Sequence, residues 1–359
     1  MSDISQAAPT GPNAAEEKFA LTTSPHFAEW LARIGTSIAF STYQAGKVFF
    51  LGVQQNGRLS VFERTFERCM GIGVAPGARS FTLATLYQLY RFDNVVPPGS
   101  KHDDNDAVFV PHRSWITGEL DVHDIGILPD GNPVFVATLF GCIATVSEHH
   151  SFKPLWRPPF VDRLVPEDRC HLNGLAMLDG EPRYVTAVGR SNVSDGWRDQ
   201  RAAGGMLIDI KTNDILCEGL SMPHSPRVHD GRVWLLNSGA GDFGFVDPKS
   251  GKFEAVAFCL VYARGLAIVD GHAVIGLSLA RENRTFQGLA LDEALTRQGA
   301  AARCGLLAID LATGNTVAWV RIEGVVRELY DVAAFPGVRR PSAIGFRSDE
   351  IRRVISIED

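Results

Sequence analysis

Six cysteines in 359 residues, none in a Cys-x-x-Cys pair, leave no thiol motif for structural zinc or dithiol chemistry. They stand at 69, 142, 170, 217, 259 and 304, four of them beside or within apolar runs, so buried free thiols are expected rather than disulfides. Long basic blocks are also missing. The 35 Lys and Arg against 41 Asp and Glu give a formal charge of −6, which argues against nucleic acid as a partner. No apolar run reaches the roughly 18 residues of a membrane span, so no membrane partner is expected. The first residues, Met-Ser-Asp-Ile-Ser-Gln, carry neither the basic nor the apolar segment of a secretory signal. The expectation is a cytoplasmic protein with a flexible N-terminal arm over 1–18 and a single domain over 19–359.

Several catalytic signatures are lacking as well. There is no His-Glu-x-x-His and no Gly-x-Ser-x-Gly elbow, so Ser225 after His224 is a poor nucleophile candidate. The glycine-rich run Asn237-Ser-Gly-Ala-Gly-Asp242 does not match a dinucleotide fingerprint in a strand-to-helix setting. His149-His150 reads as an exposed turn, and the sequon at Asn192-Val-Ser194 carries no weight without secretion.

What is present is a repeat. Met70-Gly-Ile-Gly-Val-Ala-Pro-Gly77, His123-Asp-Ile-Gly-Ile-Leu-Pro-Asp-Gly131 and Asn173-Gly-Leu-Ala-Met-Leu-Asp-Gly180 share one pattern. It returns in His224-Ser-Pro-Arg-Val-His-Asp-Gly231, Arg264-Gly-Leu-Ala-Ile-Val-Asp-Gly271 and Tyr330-Asp-Val-Ala-Ala-Phe-Pro-Gly337. Each is a short apolar strand closed by a tight turn, and a second apolar run follows. Between them lie paired runs such as Phe243–Ala257 and Leu306–Val320, giving four short strands per repeat. The spacing approximates the ~40–50 residues of a propeller blade. The longest interval carries an inserted helix near 289–298, and Ser24-Pro25 heads a short helix near 26–34.

The fold class is therefore all-β: a six-bladed β-propeller of four-stranded blades. The pair 47–66 precedes the first repeat, and 330–346 has no pair after it. The N- and C-terminal strands are expected to share one blade, which removes an open sheet edge.

In such a fold the leading residues of the repeats form a ring around the axis: Met70, His123, Asn173, His224, Arg264 and Tyr330. His171 and Glu328 stand two residues before Asn173 and Tyr330, on the same strand faces. Two chemistries suit this set. His123, His171 and His224, with Glu328 or Asp124, offer a nitrogen and oxygen set for a divalent metal such as zinc, iron, manganese or nickel. Alternatively, His123, His171, His224 and Glu328 act as catalytic acids and bases, and Arg264 holds an anionic group. Asn173, Tyr330, Arg190 and Asn237 are candidate substrate-binding residues; Arg190 lies in the polar loop 189–198. The loop Arg281–Phe286, with two arginines, is a further polar segment.

The run 173–180 resembles the six-bladed gluconolactonase/regucalcin superfamily, which implies a divalent cation held on the axis by a glutamate, two asparagines and an aspartate. Only Asn173 matches that set, because His123, His224 and Arg264 occupy the equivalent positions. More closely, Pro166–Ala176, Ser221–Arg227 and Arg327–Asp331 resemble a bacterial family of conserved proteins of unknown function, over about 26–358. The reading is an enzyme (a hydrolase, isomerase or lyase) acting on a small polar or anionic metabolite, with a divalent metal as a candidate cofactor. The alternative is a non-catalytic scaffold that binds a peptide or protein. Oligomeric state is not legible.

Overall fold

A computed structural model describes residues 19–259, 261–279, 288–298 and 302–357. Each repeat folds as the innermost strand of an antiparallel sheet. Blade 1 starts at Ile72–Val74, blade 2 at Val122–Ile127, blade 3 at Leu172–Leu178, blade 4 at Pro223–His229 and blade 5 at Tyr262–Val269. The three following strands of each blade pair outward in sequence order.

Blade 6 is the closure. Its inner strand, Val332–Pro336, pairs antiparallel with Thr36–Thr42, and Lys47–Val53 and Leu59–Thr65 complete the sheet. Both ends of the chain thus share this blade, but in a different proportion from the two-and-two expected. Three strands come from the N-terminal side and one from the C-terminal side. The run near 342–346 is not its second strand: Pro341–Ala343 pairs in parallel with Ala107–Ile116, as a fifth, outermost strand of blade 1. Thr36–Thr42 is buried at every position, so it lacks the alternation that would have advertised it. Ala20–Thr23 adds a fifth strand to blade 5.

Apolar faces of adjacent blades pack together as in a sandwich. Between blades 6 and 1, Phe50, Phe81, Phe92, Phe109 and Phe335 interlock, with Phe81 and Phe92 stacked at 4.6 Å. Helix α1 (Phe27–Arg33) buries Phe27, Trp30 and Leu31 against blades 5 and 6. Helix α2 (Ala290–Gln298) buries Leu291 with Trp197, Met222 and Tyr262 beside one mouth of the channel. All six cysteines are buried and free. The arm 1–18 and the loop 281–287 lie outside the described residues.

The residue after each ring position shows how the inner strands lock. In order these are Gly71, Asp124, Gly174, Ser225, Gly265 and Asp331. Asp124 accepts a hydrogen bond from the Leu175 N–H at 3.0 Å, Ser225 from Gly265 N–H at 3.2 Å and Asp331 from Ile72 N–H at 2.8 Å. Each even blade therefore staples to the odd blade after it. The odd blades carry glycine because the next inner strand comes too close for a side chain. A Cβ on Gly174 would lie 2.2 Å from Pro226 Cδ and 3.0 Å from Ser225 N. One on Gly265 would lie 2.6 Å from Val332 N. The innermost layer thus alternates side-chain staples at the seams 2–3, 4–5 and 6–1 with close backbone approach at 3–4 and 5–6.

Candidate functional site

At the beginning of the inner strands the backbone is irregular. The ladders between first and second strands of blades 2 to 5 shift register where His123, Asn173, His224 and Arg264 lie. Such bulges re-aim side chains and are frequent beside functional sites. Two residues before the ring position, Arg68, Asp121, His171 and Met222 all take left-handed φ values between 48° and 53°. For non-glycine residues this costs about 1 kcal/mol or more each, and such strain gathers where geometry serves a function.

At two of these positions its effect is visible. The Asp121 carbonyl accepts from His123 Nδ1–H at 2.9 Å, and the Met222 carbonyl accepts from His224 Nδ1–H at 2.8 Å. The same device is built twice in different blades. A carbonyl only accepts, so both imidazoles carry their proton on Nδ1. For His123 there is a second constraint. The Thr138 hydroxyl donates to Leu172 carbonyl at 2.7 Å, so toward Nδ1, 2.8 Å away, it accepts. The third imidazole follows the same logic with a carboxylate. His171 Nδ1 lies 2.9 Å from Asp168 Oδ2, and the Trp197 indole N–H donates to that oxygen, also at 2.9 Å. Trp197 stacks on the His171 ring at 4.2 Å between centroids.

Every Nδ1 is engaged, and none of the three Nε2 atoms has a hydrogen-bond partner among the described residues. His123, His171 and His224 each bring a ring nitrogen within 4.8 Å of the others, the one such group among the described residues. Burial, then Arg264, then His171 hold His123 well below its ordinary pKa. Burial and Arg264 do the same for His224. Both are neutral at physiological pH, the form that can bind a metal, and orienting partners on Nδ1 are the usual second layer of a metal-bound histidine. The residues fit a divalent transition metal. With three nitrogens and no carboxylate in the group, they suit zinc, iron or nickel rather than calcium or magnesium.

The three histidines come from blades 2, 3 and 4, one half of the ring. The other half presents Arg264, Tyr330 and Met70. The Arg264 guanidinium lies 3.6 Å above the Tyr330 ring, and Tyr330 stacks on Tyr43 at 5.5 Å. The Tyr330 hydroxyl is 3.0 Å from His123 Nδ1. Arg264 Nη2 and Asn173 Nδ2 are buried without a hydrogen-bond partner among the described residues. Each such orphan costs about 1–3 kcal/mol, which a ligand's acceptors can recover. Asn173 Oδ1 accepts from the Thr186 hydroxyl at 2.7 Å, so its amide is held in one orientation.

Other candidates go elsewhere. Asp124 is not among the metal-competent groups: it turns away from the imidazoles toward Arg227, with 2.8 and 3.2 Å contacts. Glu328 is buried and accepts from Gln44 N–H at 3.0 Å, fixing the turn that carries Tyr43. Arg190 is exposed, its guanidinium 5.9 Å from the Phe160 ring rather than beside the imidazoles. Asn237 accepts from Ser221 N–H at 2.7 Å and closes a turn. Asp168 and Trp197 were absent from the sequence candidates, because nothing local links an Asp three residues before His171 to an indole in a distant loop.

Below the imidazoles the channel is blocked. Arg227 reaches from blade 4 to Asp124 of blade 2, the Leu175 carbonyl of blade 3 and, at 3.8 Å, Asp331 of blade 6. It lies across the axis. Beyond it a cavity of about 430 Å³ opens to the opposite face, lined by Ile72, Ile125, Leu175, Val228, Leu266 and Val332 among others.

Residues 25–344 match the family described as Domain of unknown function (DUF4915). The chain belongs to that family. The expected membership in a conserved family of unknown function is thereby met, over most of the propeller. No curated protein matches the chain. Among solved structures, a nidogen/laminin complex is similar with TM-score 0.52 and 12% identity, covering 84% of this chain and 99% of that one. At that identity it shows the propeller fold alone. A protein of unknown function from Bacteroides caccae gives TM-score 0.47 at 13% identity, covering 83% and 98% of the two chains. Virginiamycin B lyase from Staphylococcus aureus gives 0.39 at 10%, covering 86% and 100%. Neither carries a functional argument. None of these findings extends the likeness of 173–180 to the gluconolactonase/regucalcin superfamily. Among the described residues no helix is long and apolar enough to cross a membrane.

Proposed function

We propose that the protein is a metal-dependent enzyme of the hydrolase, isomerase or lyase type that acts on a small polar or anionic metabolite at the axial site. One observation carries this reading: three imidazoles from three blades converge with every Nδ1 engaged and, among the described residues, no partner on any Nε2. In this reading His123, His171 and His224 hold the ion. It would supply Lewis acidity, polarising a substrate oxygen or acidifying a bound water. Arg264 binds the substrate's negative charge, and Tyr330 fixes the guanidinium plane beneath it. Asn173 donates to a substrate oxygen. Glu328 and Asp121 set the local field around Arg264.

Elemental analysis of untagged protein, offered zinc, iron(II), nickel and manganese in turn, tests it. One ion per chain is expected, with loss of the ion in His171→Ala and His224→Ala variants that keep the wild-type circular dichroism spectrum. Sub-stoichiometric binding of every ion overturns the reading. The non-catalytic scaffold would then be left, with the axis holding ordered water.

A further inference from the structure

The asymmetry of the ring narrows what the site accepts. We infer that the axial ligand is a small carboxylic acid with a second oxygen on the adjacent carbon, a 2-oxo or 2-hydroxy acid, chelating the ion and held by Arg264. This rests on the metal reading above.

The three histidines occupy adjacent blades, so an ion bound by them has its remaining coordination positions toward blades 5, 6 and 1. No His, Cys, Asp or Glu from those blades joins the metal-competent group among the described residues. An ion that accepts five or six ligands therefore has neighbouring open positions on one side. A carboxylate oxygen and an oxygen on the next carbon fill two of them in a five-membered chelate ring.

Charge points the same way. An imidazole that coordinates through nitrogen is a neutral ligand, so three of them leave the ion's double charge uncompensated, and the Arg264 guanidinium adds another. Of the two carboxylates beside the set, Asp168 is already shared between His171 and Trp197, and Asp121 lies on the Nδ1 side of His123, 3.7 Å from that nitrogen and 3.4 Å from the Tyr330 hydroxyl. An anion belongs here. Arg264 has one face covered by Tyr330, while its edge nitrogen Nη2 has no hydrogen-bond partner among the described residues. A guanidinium edge matches the outer oxygen of a flat carboxylate. Asn173 Nδ2 is the second free donor. Two donors suit a carboxylate monoanion; a phosphate dianion, with three outer oxygens, calls for more N–H groups than stand free among the described residues.

Cobalt(II)-loaded protein separates the possibilities, because the visible bands of cobalt report its coordination. Glycolate and pyruvate are titrated against acetate and inorganic phosphate. The two chelating acids should perturb the bands with at least about tenfold tighter binding than acetate or phosphate. Arg264→Met should weaken glycolate by about tenfold or more, the worth of one charge-assisted hydrogen bond, while the cobalt affinity stays nearly unchanged. Arg264→Lys, which restores charge without the fork, should recover part of the loss. If cobalt never binds, the metal reading and this inference fall together. If cobalt binds but acetate or phosphate matches glycolate, or Arg264→Lys binds glycolate as wild type does, the metal reading stands and the chelating-acid inference is overturned. The wild-type titrations decide even if Arg264→Met does not fold.

Discussion

Two polar layers lie stacked on the same axis, and they differ in how completely their groups are answered. In the lower one, Arg227 meets Asp124 and the Leu175 carbonyl, and both carboxylates also accept backbone N–H groups. In the upper one, two buried donors lack acceptors among the described residues, and non-glycine residues are left-handed around three imidazoles. A satisfied buried network rigidifies a fold; an unsatisfied donor leaves hydrogen-bonding capacity that a ligand or a water can take up. Burial and charge alone do not distinguish the layers. The hydrogen-bond census does.

The largest expected effect breaks the lower layer. Arg227→Met leaves Asp124 and Asp331 facing each other without a cation. Removing one partner of such a buried set costs about 3–5 kcal/mol. His224→Ala in the upper layer loses one hydrogen bond and some packing, and should cost roughly 1–2 kcal/mol in metal-free protein. Urea unfolding in the presence of a chelator measures both. Equal losses would remove the distinction between a structural and a functional layer.

A smaller effect should appear only above. Asp168→Asn keeps the shape of the side chain but supplies one acceptor oxygen where two donors, His171 Nδ1–H and Trp197 N–H, now share a carboxylate. Loss of a carboxylate behind a ligating histidine typically lowers metal affinity by about 10–100-fold. Competition with a fluorescent chelator would measure it, and the urea midpoint of metal-free protein should move little. Unchanged metal affinity would mean that His171 is not a ligand.

The sequence shows the two layers unequally. The repeat reveals the blades because a short apolar strand ending in Asp-Gly or Pro-Gly is a local pattern. Alignment of those repeats placed His123, His224 and Arg264 on one ring, and it also held the lower layer in plain view. The residues after the ring positions alternate glycine with Asp124, Ser225 and Asp331, and that alternation is the stapling scheme. Arg227 was hidden, since its carboxylate partners sit in blades 2 and 6, over a hundred residues away in sequence. So were the left-handed Asp121 and Met222: neither is glycine, and nothing in their type announces a turned carbonyl. The strand at Pro341–Ala343 was legible as a strand but not as a member of blade 1, because periodicity names a conformation and not a neighbour.

The smallest expected effect compares the layers by proton. Burial holds His123 and His224 well below their ordinary pKa, so in metal-free protein they remain neutral while the unfolded chain's histidines protonate. Their contribution to stability is present above pH ~6.5 and is lost as the pH falls below it. The lower layer has the opposite sign. Burial, then the Asp124 carboxylate, push Asp331 up to about 7 against the pull of Arg227 and two backbone N–H groups. The folded protein thus keeps a proton that the unfolded chain releases near pH ~4, so stability declines as the pH rises from ~4 toward 7. Urea midpoints over pH 4–8, in chelator, should show the two slopes opposing each other around pH 5–7. Asp331→Asn keeps an acceptor for Ile72 N–H and should remove the decline on the alkaline side. His123→Gln should flatten the fall on the acid side. A curve for Asp331→Asn that runs parallel to wild type across this range would show that Asp331 is ionised in the folded protein, and that the lower layer carries two full negative charges against one arginine.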